Sequence, residues 1–442
     1  VKELIQQIVA DNDVKKIREL LNQNYPIDIA LGLEEVDEVT LKNFMSTISN
    51  KRLASIIEVS EPESQLRMLE KLPFRRVILL FNHMSNDDIV DILGNLPVGI
   101  RKKYLNMMKS SSQDALRKML NYDPESAGGI MTTEFITMKE HLTVEEALTQ
   151  LHEISPNTEV INTIFVTSLK NCLIGWIDIR CLFTHPLDTS LHDIMQTNLI
   201  TVDPTVDQEE VAKVSAKYDL SVVPVVNAKK VLIGIITSDD ILHVMQDEYD
   251  EDLLLMSGIQ EGASLDSPIL ESIKKRTPSL LINLFTAFIA VGFVAFYQDV
   301  ISQMVIFAVL LPIITGLGEN SASQTLALVT QEMTSGQLTF KEDKKYIFSE
   351  IGVALINGVI TGLLSAGIIF LFSRNFYLSV IMLLALMISL LFGAVLGFVI
   401  PLLLRLLKLD PAISSTMFVK TITDIVGIVV FLSLARLFLP FL

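Results

Sequence analysis

Asp424 lies in the middle of the last apolar segment of this 442-residue chain, in Thr421-Ile-Thr-Asp424-Ile-Val-Gly427, between Ile413–Phe418 and Ile428–Leu434. A carboxylate at the centre of a membrane helix costs roughly 2.5–3.5 kcal/mol, so it ordinarily faces a bundle interior or a water-filled path and marks an ion or substrate route. The charge suits a cation. A second acidic group, Asp247-Glu248-Tyr-Asp250-Glu251-Asp252, is dense enough that each close pair repels by about 1 kcal/mol in water and more where partly buried. A divalent ion would relieve that repulsion; a solvated acidic helix is the plainer alternative. Asp87, Asp88 and Asp91 are spaced so that one of the first two shares a helix face with Asp91. Alone, they read as charges at a helix N-terminus. Finally, Gly234-Ile-Ile-Thr237-Ser-Asp239-Asp240 ends a β-rich run just before a helix whose N-terminal amides could receive phosphate.

The elements that must position these groups divide the chain in two. Residues 277–442 balance eight basic against eight acidic side chains, so the whole formal charge of −16 lies before them. Such polarity argues against nucleic acid and is compatible with divalent cations, although an acidic soluble surface alone would look the same. Five apolar runs satisfy the length rule for spanning helices, near 278–298, 301–331 with a break, 346–373, 376–406 and 412–440. Lys274, Lys275, Arg276, Lys341, Lys344, Lys345, Arg405 and Lys408 flank one side, with only Arg374 and Arg436 on the other. The positive-inside rule then predicts a cytoplasmic N-terminus and an external C-terminus in a multi-pass cell (inner) membrane protein. The polar start, Val1 to Glu19, carries no cleavable signal, so the soluble half is expected on the side where it is made. Gly358-Val-Ile-Thr-Gly362 and Gly393-Ala-Val-Leu-Gly397 permit close helix contact, with packing inside one chain the simpler use. The second run holds Pro312, Gly316, Gly318, Glu319, Asn320 and Gln324, a pattern that predicts a backbone break lining the same path as Asp424.

The soluble half contains a duplication: Met131–Thr137 is echoed by Met195–Thr201, and Val166–Gly175 by Val225–Gly234. Each copy reads as a short strand, a helix (144–153 and 208–218) and two β-rich runs joined by a turn. This resembles a tandem pair of CBS modules, a family that holds adenine nucleotides through the Gly-x-x-Thr-x-x-Asp pattern. Gly234, Thr237 and Asp240 match it; the first copy has Asp178 and Cys181 instead of the hydroxyl and the acid. One nucleotide site is therefore expected, ATP being the natural adenine ligand, and a pair that binds none is the alternative. Upstream, residues 1–125 alternate helical apolar spacing with polar turns and repeat Leu-Pro at 72–73 and 96–97, which predicts a stack of short helices. Cys172 and Cys181 form no disulfide framework or metal-ligand spacing.

The order of parts resembles the MgtE-type magnesium channels over essentially the whole chain. The most specific pieces are Tyr122-Asp-Pro-Glu-Ser-Ala-Gly-Gly-Ile-Met131-Thr, the second span with Asn320 and Gln324, and Asp410-Pro411-Ala412 leading to Asp424 and Gly427. The resemblance implies a multidomain fold: an all-α helical-repeat N domain (1–127), an α+β tandem CBS pair (128–193 and 194–246), a connecting helix region (247–275) and an all-α five-helix transmembrane domain (276–442). It further implies a homodimer in the lipid bilayer, Mg2+ held at Asp424 with Asn320 nearby, and gating by Mg2+ at Asp91, Asp207, Glu209, Asp219, Asp240, Glu248, Glu251 and Asp252. His243 replaces an acid of that pattern.

Two departures lie in the pore segments. Glu319 stands where the family usually has Gly, and Lys420, i, i+4 from Asp424, where a small residue is usual. An ammonium there should repel Mg2+ unless Glu319 pairs with it. A channel of altered selectivity and a non-conducting Mg2+ or nucleotide sensor are the alternatives. An intramembrane metalloprotease lacks the His-Glu-x-x-His it would need.

Overall fold

The computed structural model describes residues 2–11, 13–108, 110–153, 162–260, 262–265, 267–334, 344–407 and 411–442. The chain divides into two compact units, Val1–Met245 and Gln246–Leu442.

Among the described residues, the first unit begins with ten helices of eight to ten residues between Lys2 and Met119. Their i, i+3, i+4 apolar stripes, such as Leu53, Ile56 and Ile57, supply a core with Phe44, Met45 and Leu80. Leu72-Pro73 and Leu96-Pro97 open helices rather than close them: Pro73 and Pro97 are N-caps of Phe74–Phe81 and Val98–Met107. A missing N–H costs nothing at that position, and the preceding leucine is buried.

Five strands follow: β1 (Ile136–Lys139), β2 (Thr163–Thr167), β3 (Leu173–Asp178), β4 (Val222–Val226) and β5 (Leu232–Thr237). β1 runs parallel to β2, while β2–β3 and β4–β5 are antiparallel pairs. The helices Val144–Glu153 and Gln208–Tyr218 fall on the spans expected from the duplication. The copies exchange their leading segments. Thr132, at the head of the first copy, bridges Ile235 of β5, whereas Gln196, at the head of the second, bridges Trp176 of β3. Met131 fills the space beside Gly234, and Met195 that beside Gly175. Cuts at 128 and 194 therefore separate segments from the sheets they complete.

The Tyr122–Met131 motif is a tight turn on the second copy. Ala127 N–H donates to Val206 O at 2.7 Å and Gly128 N–H to Pro204 O at 2.9 Å. A Cβ on Gly128 would lie 2.5 Å from the Tyr122 ring, so only glycine fits. One hydrophobic core runs from the N-terminal helices into the second copy through Val211, Val223, Ile236 and Ile241.

The second unit carries five helices long and apolar enough to cross a membrane, Ile269–Phe296, Ile306–Thr334, Lys344–Ser373, Phe376–Leu406 and Pro411–Phe438. The expected break in the second span is absent. The helix is continuous through Pro312, Gly316 and Gly318, and the interruption falls earlier, at Met304 and Val305, after a short helix Gln298–Gln303. With no water to satisfy freed backbone groups, a helix that tolerates Pro312 in its second turn is the cheaper solution. Gly393 and Gly397 place the fourth span against the backbone of Gly318 and Ala322, and Gly358 and Gly362 place the third against Met387 and Leu383. Both pairs thus serve packing within the chain. Lys341, Lys408 and Asp410 lie outside the described residues, as do the side chains of Lys344, Arg405, Pro411 and Ala412.

Candidate functional site

In the first unit, the helix Asn86–Gly94 begins after the N-cap Ser85, whose hydroxyl donates to Asp88 Oδ2 at 2.6 Å. Asn86 Nδ2 donates to Thr133 Oγ1 at 2.7 Å, tying this helix end to the segment that carries Glu134. Asp87, Asp88 and Asp91 thereby share one electrostatic cluster with Glu58, Glu134 and Asp240. Burial and then the charges of Asp88 and Asp87 lift Glu58 to about 7. Burial followed by Asp87 and Asp88 does the same to Glu134. Asp88 rises to about 6, burial outweighing its Ser85 hydrogen bond. Burial, then the charges of Asp87, Asp88 and Asp240, lifts Asp91 to about 7. Burial also raises Asp240. Asp87 Oδ1 is buried with no hydrogen-bond partner among the described residues.

An orphaned carboxylate oxygen among mutually repelling acids fits a divalent cation. Among the described residues no three His, Cys, Asp or Glu side chains converge tightly enough to chelate one directly. An all-oxygen donor set is of the kind Mg2+ prefers, an ion that keeps much of its water. Asp87 and Asp88 do begin a helix, as their spacing indicated, but Glu58 and Glu134 were invisible as partners: each is a lone acid in its own stretch of sequence, and only folding brings it to the helix end.

Asp240 is shared. Thr237 Oγ1 donates to its Oδ2 at 2.5 Å, and both residues line a cleft of about 1030 Å3 between the two copies. Trp176, Asp178, Arg180 and Asp219 contribute to the same cleft. Gly234 does not: its open side is taken by Met131, so its role is packing rather than ligand approach. Asp178, the acid that replaces a hydroxyl in the first copy, is held at about 2 by hydrogen bonds from the Arg180 guanidinium. That pairing neutralises the charge an anionic ligand would meet. The cleft retains a hydroxyl, a carboxylate and a guanidinium, which fit ribose and phosphate.

The remaining second-copy acids serve local structure. Asp207 caps Gln208–Tyr218 by accepting from Glu209 N–H at 2.9 Å, Glu209 pairs with Lys213 at 2.9 Å, and Asp219 ends that helix in a left-handed conformation. Glu248, Glu251 and Asp252 lie on the helix Ser238–Met256, which is continuous across the expected boundary at 246, and each has a polar or electrostatic partner. His243 is exposed on that helix.

In the second unit, Lys420 Nζ donates to Glu319 Oε1 at 2.7 Å, joining the second and fifth spans. Asp424, one turn further along, has a buried Oδ1 without a hydrogen-bond partner among the described residues. The neighbouring hydroxyl is unavailable, because Thr423 donates back to Val419 O at 2.8 Å. Asn320 and Gln324 are exposed on the second span. Ser389, which nothing in the sequence singled out, reaches Ile314 O at 3.5 Å and borders Gly318 and Gly427, so small residues surround the approach of the second, fourth and fifth spans.

A large acidic unit, built from a helical N domain and a paired CBS-type α+β module, together with five apolar helices, one of which carries a carboxylate with a buried oxygen, defines a multi-pass membrane protein of the ion-transporting class. Residues 311–434 match the family model described as a divalent cation transporter, 24–125 the MgtE intracellular N domain, and 191–247 the CBS domain. The chain is 30% identical over 337 residues, 75% of its length and 73% of the relative's, to the magnesium transporter MgtE of Enterococcus faecalis. It is 28% identical to those of Bacillus subtilis (99% of this chain, 98% of the relative) and Thermus thermophilus (98% of each). The chain belongs to the MgtE family of magnesium transporters, which is not an enzyme class. Among solved structures, the cytosolic domain of the Mg2+ channel MgtE in complex with ATP is similar at 28% identity, covering 55% of this chain and 100% of that one, with a TM-score of 0.52. The soluble part of a magnesium transporter is similar at 29% identity, covering 56% and 97%, with a TM-score of 0.51.

Proposed function

We propose that this protein conducts Mg2+ across the membrane through a path that passes Asp424, and that Mg2+ on the cytosolic side, bound among the acids of the N domain, the CBS pair and the connecting helix, holds it closed. The observation that carries the reading is the buried, unpartnered carboxylate oxygen of Asp424 in a span whose nearest cation, Lys420, is already engaged by Glu319. A carboxylate left in this state is a binding site for a cation rather than a structural ion pair. Asn320, Gln324 and the half-exposed Lys420 give these helices a polar surface that lipid would not accept. A second copy facing it would enclose a water-filled path and supply a second Asp424. Homodimerisation, with the N-terminus cytoplasmic and the C-terminus external, satisfies both that surface and the basic residues beside the spans.

The cluster around Asp87 supplies the sensor. Ions that bind the closed arrangement better than the open one shift the population toward it. An adenine nucleotide such as ATP fits the cleft between the two CBS copies, with Thr237 and Arg180 toward the phosphates and Asp240 toward the ribose hydroxyls. Because Asp240 belongs to both places, occupancy of one would be felt at the other. The domains follow as 1–127, 128–193, 194–246, 247–275 and 276–442, with the leading segments of the two CBS copies exchanged.

Uptake of Mg2+, Mn2+, Co2+ and Na+ into liposomes containing the full chain tests the reading. Asp424→Ala should abolish divalent uptake while the dimer and its melting temperature change little. Wild-type uptake by that variant would refute the assignment. A sensor that no longer conducts is the reading that an unheld Lys420 would favour, and its ion pair with Glu319 weighs against it.

A further inference from the structure

The three charges at the membrane site are not independent. Lys420 and Asp424 share a face of the fifth span one turn apart, and the flexible four-carbon stem of lysine lets its ammonium reach either toward Glu319 or along its own helix to Asp424. It is found on Glu319, 2.7 Å away, while Asp424 Oδ1 is left buried and unpartnered. We propose that Glu319 is a positioning residue that holds Lys420 off Asp424, so that the pair acts as a charge clamp selecting divalent cations at the pore acid. This rests on Asp424 being the permeation site.

With the pair formed, each chain presents one net negative charge, and two copies present two, the complement of one divalent ion. Without Glu319, Lys420 becomes the tethered cation that occupies Asp424 and closes the site. Without Lys420, two net charges per chain hold a divalent ion too tightly for it to leave readily, because conduction requires binding strong enough to enter and weak enough to leave. Removing both restores the original charge. A structural ion pair alone would predict a different pattern, in which both single losses and the double loss weaken the bundle alike.

The test is divalent uptake by the full chain in liposomes, with melting in detergent recorded for every variant. Glu319→Gln should lower Mg2+ uptake about tenfold or more, since Lys420 is then free to occupy Asp424. Lys420→Met should saturate at lower Mg2+ with a lower maximal rate, and the double substitution should return uptake to within about threefold of the wild type, a non-additivity expected only of groups that touch. Additive effects in a conducting protein would overturn the clamp and leave the transport reading intact. So would a silent wild type that Lys420→Met awakens, because Lys420 would then be sealing Asp424. Silence from the wild type and all variants would overturn the transport reading, and the clamp with it.

Discussion

Single side chains here matter by what they lack as much as by what they touch. Asp87 and Asp424 each bury one carboxylate oxygen without a partner, and an unsatisfied buried polar atom costs about 1–3 kcal/mol. That cost is reasonable where a cation is the intended partner. Asp87→Ala should therefore raise the melting temperature of the full chain in EDTA, since it removes both an orphaned oxygen and a repelling charge, and should remove most of the stabilisation that millimolar Mg2+ gives the wild type. A drop in EDTA with the Mg2+ effect intact would mean Asp87 is structural. Asp178 makes the opposite point. This acid, standing where the CBS pattern has a hydroxyl, is compensated two residues later in the sequence by Arg180.

Elements set the distances at which these residues work. In the membrane unit, the second and fourth spans approach to backbone contact at Gly393 and Gly397, and a Cβ on Gly393 would lie 2.6 Å from Gly318 O. Backbone cannot yield as a flexible side chain does, so Gly393→Ala should push the spans apart and cost about 1–3 kcal/mol. Gly367→Ala is the control: nothing lies within 4 Å of its added methyl, and alanine favours a helix. Melting of the two variants side by side should separate them by several degrees; equal values would place the tight contact elsewhere. In the first unit, the exchange of leading segments between the CBS copies and the docking of the Tyr122–Met131 turn bring Asp91 of Asn86–Gly94 within electrostatic reach of Asp240.

For the molecule as a whole, the acidic excess makes stability depend on pH. Glu58, Asp91 and Glu134 titrate near 7 and Asp88 near 6, above the ordinary carboxylate range that the unfolded chain shows. Folding therefore retains protons that unfolding releases. The stabilisation is complete below the ordinary carboxylate values and is lost as pH rises through the folded ones, over roughly pH 4 to 7.5. In EDTA the full chain in detergent should be cut faster by protease within residues 1–275 at about pH 7.5 than at about pH 5.5, and millimolar Mg2+ should abolish the difference by replacing protons with metal charge. Digestion that ignores both pH and Mg2+ would end the gating reading.

The sequence by itself determined the partition into an acidic soluble half and five apolar spans, because length, charge and hydrophobic runs are local properties that every fold of this chain must respect. It also determined the helices Val144–Glu153 and Gln208–Tyr218, and it placed Glu319 and Lys420 as opposite charges in two apolar spans. Tertiary structure alone decided that they pair, that the second span stays helical through its glycines, and that Gly234 packs on Met131 instead of facing a ligand. It likewise joined Glu58, Asp87 and Glu134 to Asp240 across more than a hundred residues. Periodicity reports which face of an element is apolar, whereas a binding site is made where faces of different elements meet, and that depends on packing that no local pattern encodes.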